Sequence, residues 1–166
     1  MAETLGSLID KLTIKDIREF HMRQMIEKKD PKFGEKELKK KIDILKKQKG
    51  NLCSEIDYFV KNVFKSGNIV KDEKLKLYNA LKDIGRIPQT KSIGEAISGL
   101  AQKNLELWHL EDEARRQDMG LEYVGKIKCK IDVANQQRND FIDKIDDLLE
   151  EIVKTAGKGG ITIKQG

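Results

Sequence analysis

The sequence is short of everything that builds a membrane-spanning, β-rich or disulfide-held protein. No apolar run approaches the roughly 20 residues needed to cross a bilayer, and Met1–Asp10 lacks the basic start and apolar middle of a secretion signal. The expectation is a cytosolic chain that does not insert into a membrane. Only two prolines, one tryptophan and 5% aromatic residues are present, a composition that excludes an all-β sandwich or barrel. The two cysteines, Cys53 and Cys129, stand singly on separate stretches with no second thiol nearby to make a zinc or redox motif. They read as reduced thiols in or beside a core.

What the sequence does have is charge and helical periodicity. Charged residues make up 37% of the 166 and apolar ones 38%, with a mean hydropathy of −0.60, the balance of long solvated helices around one core. The charge is unevenly placed: residues 1–91 hold 22 Lys+Arg against 14 Asp+Glu, and residues 92–166 hold 11 against 14. Such polarity suits an acidic partner, self-association or RNA, and the densest basic stretch is Lys36, Lys39, Lys40, Lys41, Lys46 and Lys47. No aromatic side chain interleaves those lysines, so a plain solvated face is favoured over a nucleic-acid surface.

Apolar residues at helical spacing mark four long segments, near 4–29, 35–65, 92–117 and 121–155, and a shorter one near 71–84. The breaks agree: Asp30-Pro31 with Gly34, Gly67-Asn68, Gly85 with Pro88, Asp118 with Gly120, and Gly157. One bundle domain is expected over residues 1–156, followed by a flexible tail at 157–166. The glycines of that tail follow a helix and lack the spacing of a phosphate loop.

An internal repeat organises the chain. Gly6, Ile9, Leu12, Lys15 and His21 recur 88 residues on as Gly94, Ile97, Leu100, Lys103 and His109, with Phe20 matched by Trp108. Beyond the turn the offset is 89, and Lys41, Ile42, Asp43, Gln48, Ile56 and Asp57 recur as Lys130, Ile131, Asp132, Gln137, Ile145 and Asp146. The repeated unit is a helical hairpin. Two such hairpins, 4–65 and 92–155, can bury their apolar stripes only on each other, which predicts an all-α, pseudo-twofold four-helix bundle with the 71–84 helix in the connection. Ile127, Ile131, Ala134, Arg138, Phe141, Ile145, Leu148 and Ile152 advance in alternating steps of 4 and 3, as do Leu38, Ile42, Leu45, Lys49, Leu52, Ile56, Phe59 and Val63. Each seam is broken once, at equivalent places, by the cations Lys49 and Arg138.

A cation on a seam must reach water or find acceptors. With the first turn centred at about 32.5, Lys49 comes level with Asp16; with the second near 121, Arg138 comes level with Asn104, whose carbonyl can accept from the guanidinium. The same count places His21 near Asp43 and His109 near Asp132, closer to the turns. Such a belt can serve only to fix helix register. Alternatively it is a binding site, in which Asn104, Trp108, His109, Asp112, Asp132, Asn135, Arg138 and Asn139 line a space between two helices. Arg138 would then grip an anion while His109, oriented by Asp132, bound it or moved a proton.

A metal is not expected. Glu106-Leu-Trp-His109 has the Glu-x-x-His spacing of di-iron bundles, but position 18 in the first hairpin is Arg, so a symmetric centre lacks a ligand. No cofactor is called for either, and neither cysteine has positional support as a nucleophile.

Leu107-Trp-His-Leu-Glu-Asp-Glu-Ala-Arg115 and Ile131-Asp-Val-Ala-Asn-Gln-Gln-Arg-Asn-Asp140 together resemble a bacterial domain-of-unknown-function family with LWHxEDxAR-like and IDxxNQxRND-like helices. The segment from Leu5 to Thr13 is similar to another uncharacterised bacterial group with a GELIDKLTI-like start, Ser7 standing where that group has an acidic residue. The resemblance implies an all-helical cytosolic bacterial protein, linked to envelope polysaccharide genes and without an assigned reaction. It draws attention to Trp108, His109, Glu111, Asp112, Arg115, Asp132, Asn135, Gln136, Arg138, Asn139 and Asp140. The expected function is a binding or adaptor module with a protein partner or a second copy. The alternatives are an enzyme or receptor for a nucleotide sugar or sugar phosphate, and an RNA-binding protein using the basic half.

Overall fold

The structure, a computed structural model, describes residues 3–71 and 86–159. It is all-α: α1 (Leu5–Glu27), α2 (Glu35–Ser66), α3 (Ile93–Ala114) and α4 (Gly120–Gly159), with a 3₁₀ turn, Gln117–Met119, before α4. No strand occurs among the described residues. The short helix expected at 71–84 falls, from residue 72 on, outside them, as do residues 160–166 of the expected tail. Gly157 does not end the last helix, which continues to Gly159; one glycine costs a helix only about 1 kcal/mol.

The repeat extends to the helix starts. Thr4 and Ser92, 88 residues apart, are both N-caps, and each forms a reciprocal capping box with the residue three further on, Ser7 or Glu95. Gly34 starts α2 without a side-chain cap, and acidic Glu35 and Glu37 occupy its first turn, where the helix dipole favours them. Gly67 ends α2 in the left-handed region at φ 69°, as a helix C-terminus favours.

Two antiparallel hairpins, α1/α2 and α3/α4, pack together into a four-helix bundle. The main apolar core lies at the open ends of the hairpins. There Leu5 and Ile9 of α1 and Val63 of α2 meet Ala96 and Leu100 of α3 and Phe141, Ile142, Ile145, Leu148 and Leu149 of α4. A second cluster, Leu107 with Ile127, Ile131 and Ala134, joins α3 to α4 nearer the turn. Seven of the eight seam positions of α4 face inward, while Ile152 is exposed.

The packing around the two hairpins is unequal. A Cβ on Gly6 would stand 2.3 Å from the Ile142 carbonyl oxygen, so this glycine lets α1 press on the α4 backbone, whereas its repeat mate Gly94 has open space around it. Asp146 of α4 accepts the Gly6 backbone N–H at 2.8 Å and is buried, while its mate Asp57 is exposed. Burial raises the Asp146 carboxyl above its ordinary value, against the lowering effect of the Gly6 N–H and the Thr4 side chain. Both cysteines are exposed, contrary to a place in or beside the core, because each lies off its helix's inward stripe: Cys53 follows Leu52, and Cys129 falls between Ile127 and Ile131. No described helix is long and apolar enough to cross a membrane.

Candidate functional site

The seam cations are bound in two different ways. Lys49, on α2, reaches Asp16 at 2.5 Å, the residue the hairpin count sets level with it, and also Glu19 at 2.8 Å. Asp16 and then Glu19 hold the Lys49 ammonium above its usual value. Glu19 is buried and also takes Arg23 at 2.6 Å; Lys49 first and Arg23 second hold its carboxyl below the usual range. This cluster belongs wholly to the first hairpin.

Arg138 finds its carboxylate across the hairpin boundary. Its Nε is 3.5 Å from Oδ1 of Asp10, on α1, and is buried without a hydrogen-bond partner among the described residues. The same Asp10 oxygen accepts from Asn104 Nδ2 at 2.9 Å, and Asn104 also donates to Thr13 Oγ1 at 2.8 Å. Asn104 therefore stands beside Arg138 as a donor to Asp10, not as the acceptor for the guanidinium. A full negative charge on α1 is a stronger acceptor for the Asn104 amide and pairs by charge with the guanidinium.

The expected histidine pairs do not form. His21 stacks flat on Trp108, with ring centroids 4.6 Å apart and an interplanar angle of 4°, and its Nε2 is buried without a hydrogen-bond partner among the described residues. Asp43 is exposed in a groove with Arg23 and Lys46. His109 meets His21 edge-on at 6.1 Å, and both His109 and Asp132 are exposed with no bond between them. The physical reason is rotation. Five residues advance an α-helix by about 500°, so a side chain at 21 points about 140° away from one at 16. Six residues back from Lys49 or Arg138 turns Asp43 or Asp132 about 120° off the seam.

Beside the polar belt lies a cleft of about 270 Å³ with three walls. Ile14, Ile17 and Arg18 come from α1, Asn104, Leu107, Trp108, Glu111, Asp112 and Arg115 from the outer half of α3 and its end, and Asn135 and Arg138 from α4. Of the candidates named from sequence, Asn104, Trp108, Asp112, Arg115, Asn135 and Arg138 line it, with Glu111 from the resembled motif. His109, Asp132 and Asn139 do not; all three are exposed. Without Asp132 at its side or a place on the lining, His109 is not set up to carry a proton into the cleft.

Sequence reasoning missed the first hairpin's share of this site, namely Asp10, Thr13, Ile14, Ile17 and Arg18. A signal was present: Asp10, Thr13 or Ile14, and Ile17 follow helical spacing on the stripe that begins at Gly6, so Asp10 interrupts an inward face as Lys49 and Arg138 do. The charges on the lining are partly committed. Arg138 shares Asp10, and Arg115 is 3.5 Å from Asp112. Arg18 makes no ion pair among the described residues.

No group of three or more His, Cys, Asp or Glu that could hold a metal ion occurs among the described residues. Compared with known proteins, the chain matches the family described as "Protein of unknown function (DUF4254)" in two stretches, residues 1–71 and 95–164, one over each hairpin. One family thus covers both halves, in place of the two separate groups expected for the two hairpins. Neither the curated proteins nor the solved structures give a match. The stretches together span most of the chain, and the chain belongs to this uncharacterised family.

Proposed function

We propose that this protein is a binding protein that holds a small phosphorylated sugar in the α1/α3/α4 cleft, in a bacterial cytosol. The observation that carries the reading is the convergence of Arg18 from α1, Arg115 from the C-cap of α3 and Arg138 from α4 on one lining that also holds Trp108. Guanidinium forks suit the planar sharing of phosphate oxygens. Glu111, Asp112 and Asn135 supply acceptors for hydroxyl hydrogens, and the indole supplies an apolar surface for a sugar's C–H face. A volume of about 270 Å³ is at the small end for ligand pockets, which favours a sugar phosphate over a whole nucleotide sugar. Such compounds are building blocks of envelope polysaccharides, in agreement with the link that the motif resemblance implies. One chain completes this cleft, so the reading does not require the self-association expected from the charge split.

Trp108 is the only tryptophan, so its fluorescence reports the cleft directly. Titration with hexose phosphates, nucleotide sugars, inorganic phosphate and neutral hexoses should give saturable changes with the phosphorylated sugars. Arg18→Ala and Arg115→Ala, both at exposed positions, should each weaken that binding about tenfold, the scale of one charge-assisted hydrogen bond. A panel without any response would overturn the reading and return the protein to the adaptor class.

A further inference from the structure

The formal net charge of the chain is +5, and residues 23–47 alone hold ten lysines and arginines against five carboxylates, an excess of the same size. That segment is the turn end of the first hairpin. Several of its carboxylates are already engaged: Glu35 with Lys39 at 2.5 Å, Glu37 with Lys41 at 2.7 Å, and Asp30 as acceptor for the Lys32 backbone N–H. Lys28, Lys29, Lys32, Lys36 and Lys40, all exposed, make no ion pair among the described residues. Phe33 sits among them on the turn, 40% exposed.

The backbone adds an independent observation. α1 ends in a Schellman turn, with the Asp30 N–H on the Met25 carbonyl and the Lys29 N–H on the Ile26 carbonyl. The left-handed residue of that turn is Lys29, at φ 49°, the only non-glycine with positive φ among the described residues. Glycine or asparagine is the ordinary occupant of this position, and a lysine there is strained. The turn thus holds a strained cation at its apex where a neutral, unstrained residue would close it equally well.

We propose that this end of the first hairpin docks on the surface of an anionic phospholipid bilayer. Flexible lysines around one aromatic side chain fit the headgroup layer, the ammonium groups meeting lipid phosphates while Phe33 enters the boundary with the acyl chains. A single-stranded nucleic acid would instead call for several aromatic platforms along a basic groove, and Phe33 is the one aromatic residue in 23–47. The contact is peripheral, since no described helix can cross the membrane.

The test is co-sedimentation of the full chain with vesicles of about 30% phosphatidylglycerol in phosphatidylcholine, and with pure phosphatidylcholine, at about 0.1 M and about 0.5 M salt. Binding to the anionic vesicles at low salt, its loss at high salt and no binding to phosphatidylcholine are expected. Lys29→Gly should lower partitioning about fivefold, one surface charge's worth, while melting no lower than the parent. Phe33→Ser should lower partitioning and leave the salt dependence unchanged. Equal binding to both vesicle types, no binding to either, or retention on RNA without vesicle binding would overturn the proposal.

Discussion

Two buried carboxylates, Glu19 and Asp146, pull the acid stability of this protein in opposite directions. Glu19 is held below the ordinary 4.5, first by Lys49 and then by Arg23. Because its folded value lies under its unfolded one, its contribution is complete above pH 4.5 and is lost as pH falls through the folded value. Glu19→Gln should therefore cost about 2 kcal/mol at neutral pH, and denaturant titrations at falling pH should show variant and parent converge. Asp146 is raised above 3.8 by burial first, so its ionisation opposes folding at neutral pH and the penalty is relieved as pH drops through the folded value toward 3.8. Asp146→Asn keeps an oxygen for the Gly6 N–H without the charge. It should be more stable than the parent at pH 7 and lose that advantage in acid. How far such residues were legible depends on what each required. Lys49 with Asp16 needed only height along a hairpin, which residue counting supplies. His21 with Asp43 needed rotation as well, and a side chain 140° round its helix finds a different neighbour, here the face of Trp108.

Elements differ in how tightly they meet, and glycine marks where. Gly6→Ala drives a methyl into the Ile142 backbone carbonyl, which cannot yield as the tip of a flexible side chain would, so a loss of about 3 kcal/mol is expected from thermal or urea unfolding. Gly94→Ala, the same change at the repeat-equivalent position, meets nothing within 4 Å and should stabilise by about 0.5 kcal/mol through helix propensity. Opposite signs at two positions related by the repeat would demonstrate that duplication copied the hairpin and not its surroundings. The hairpins themselves were plain in the sequence, because alternating steps of 4 and 3 fix the inward face of α2 and α4 whatever they pack against. What packs on that face is a matter between elements. Arg138 shows the consequence: counting along the second hairpin sets it level with Asn104, but the carboxylate it pairs with, Asp10, comes from α1 of the first. Arg138→Met removes the cation beside Asp10, which keeps its Asn104 hydrogen bond, and should destabilise by about 1 kcal/mol, and adding Asp10→Asn should restore part of it. A strictly additive double variant would mean that the 3.5 Å pair carries no coupling.

In the molecule as a whole, the two hairpins are joined by unlike means at their two ends. The open end holds the apolar core, with Leu100 and Ile145 fully buried. Toward the turns the joint between hairpins rests on the Asp10–Asn104–Thr13–Arg138 belt and the stacking of His21 on Trp108. The cleft opens beside this polar joint, so a ligand that spans α1 and α3/α4 would reinforce the weaker end. Trp108 fluorescence reads that end, while far-UV circular dichroism reads helix everywhere. In the parent the two denaturation curves should coincide, because the apolar core couples the hairpins into one transition. Asn104→Ala removes both hydrogen bonds to α1 and leaves Asp10 and Thr13 without their shared donor, an expected loss of about 2 kcal/mol. The fluorescence midpoint should then fall below the dichroism midpoint, as the turn ends part while the helices and the core persist. Equal shifts of both curves would instead mean that the bundle opens as one unit and that the belt adds stability without governing the joint. In the first case a bound ligand should bring the two midpoints of Asn104→Ala together again, since binding to the closed form alone shifts the opening equilibrium by mass action.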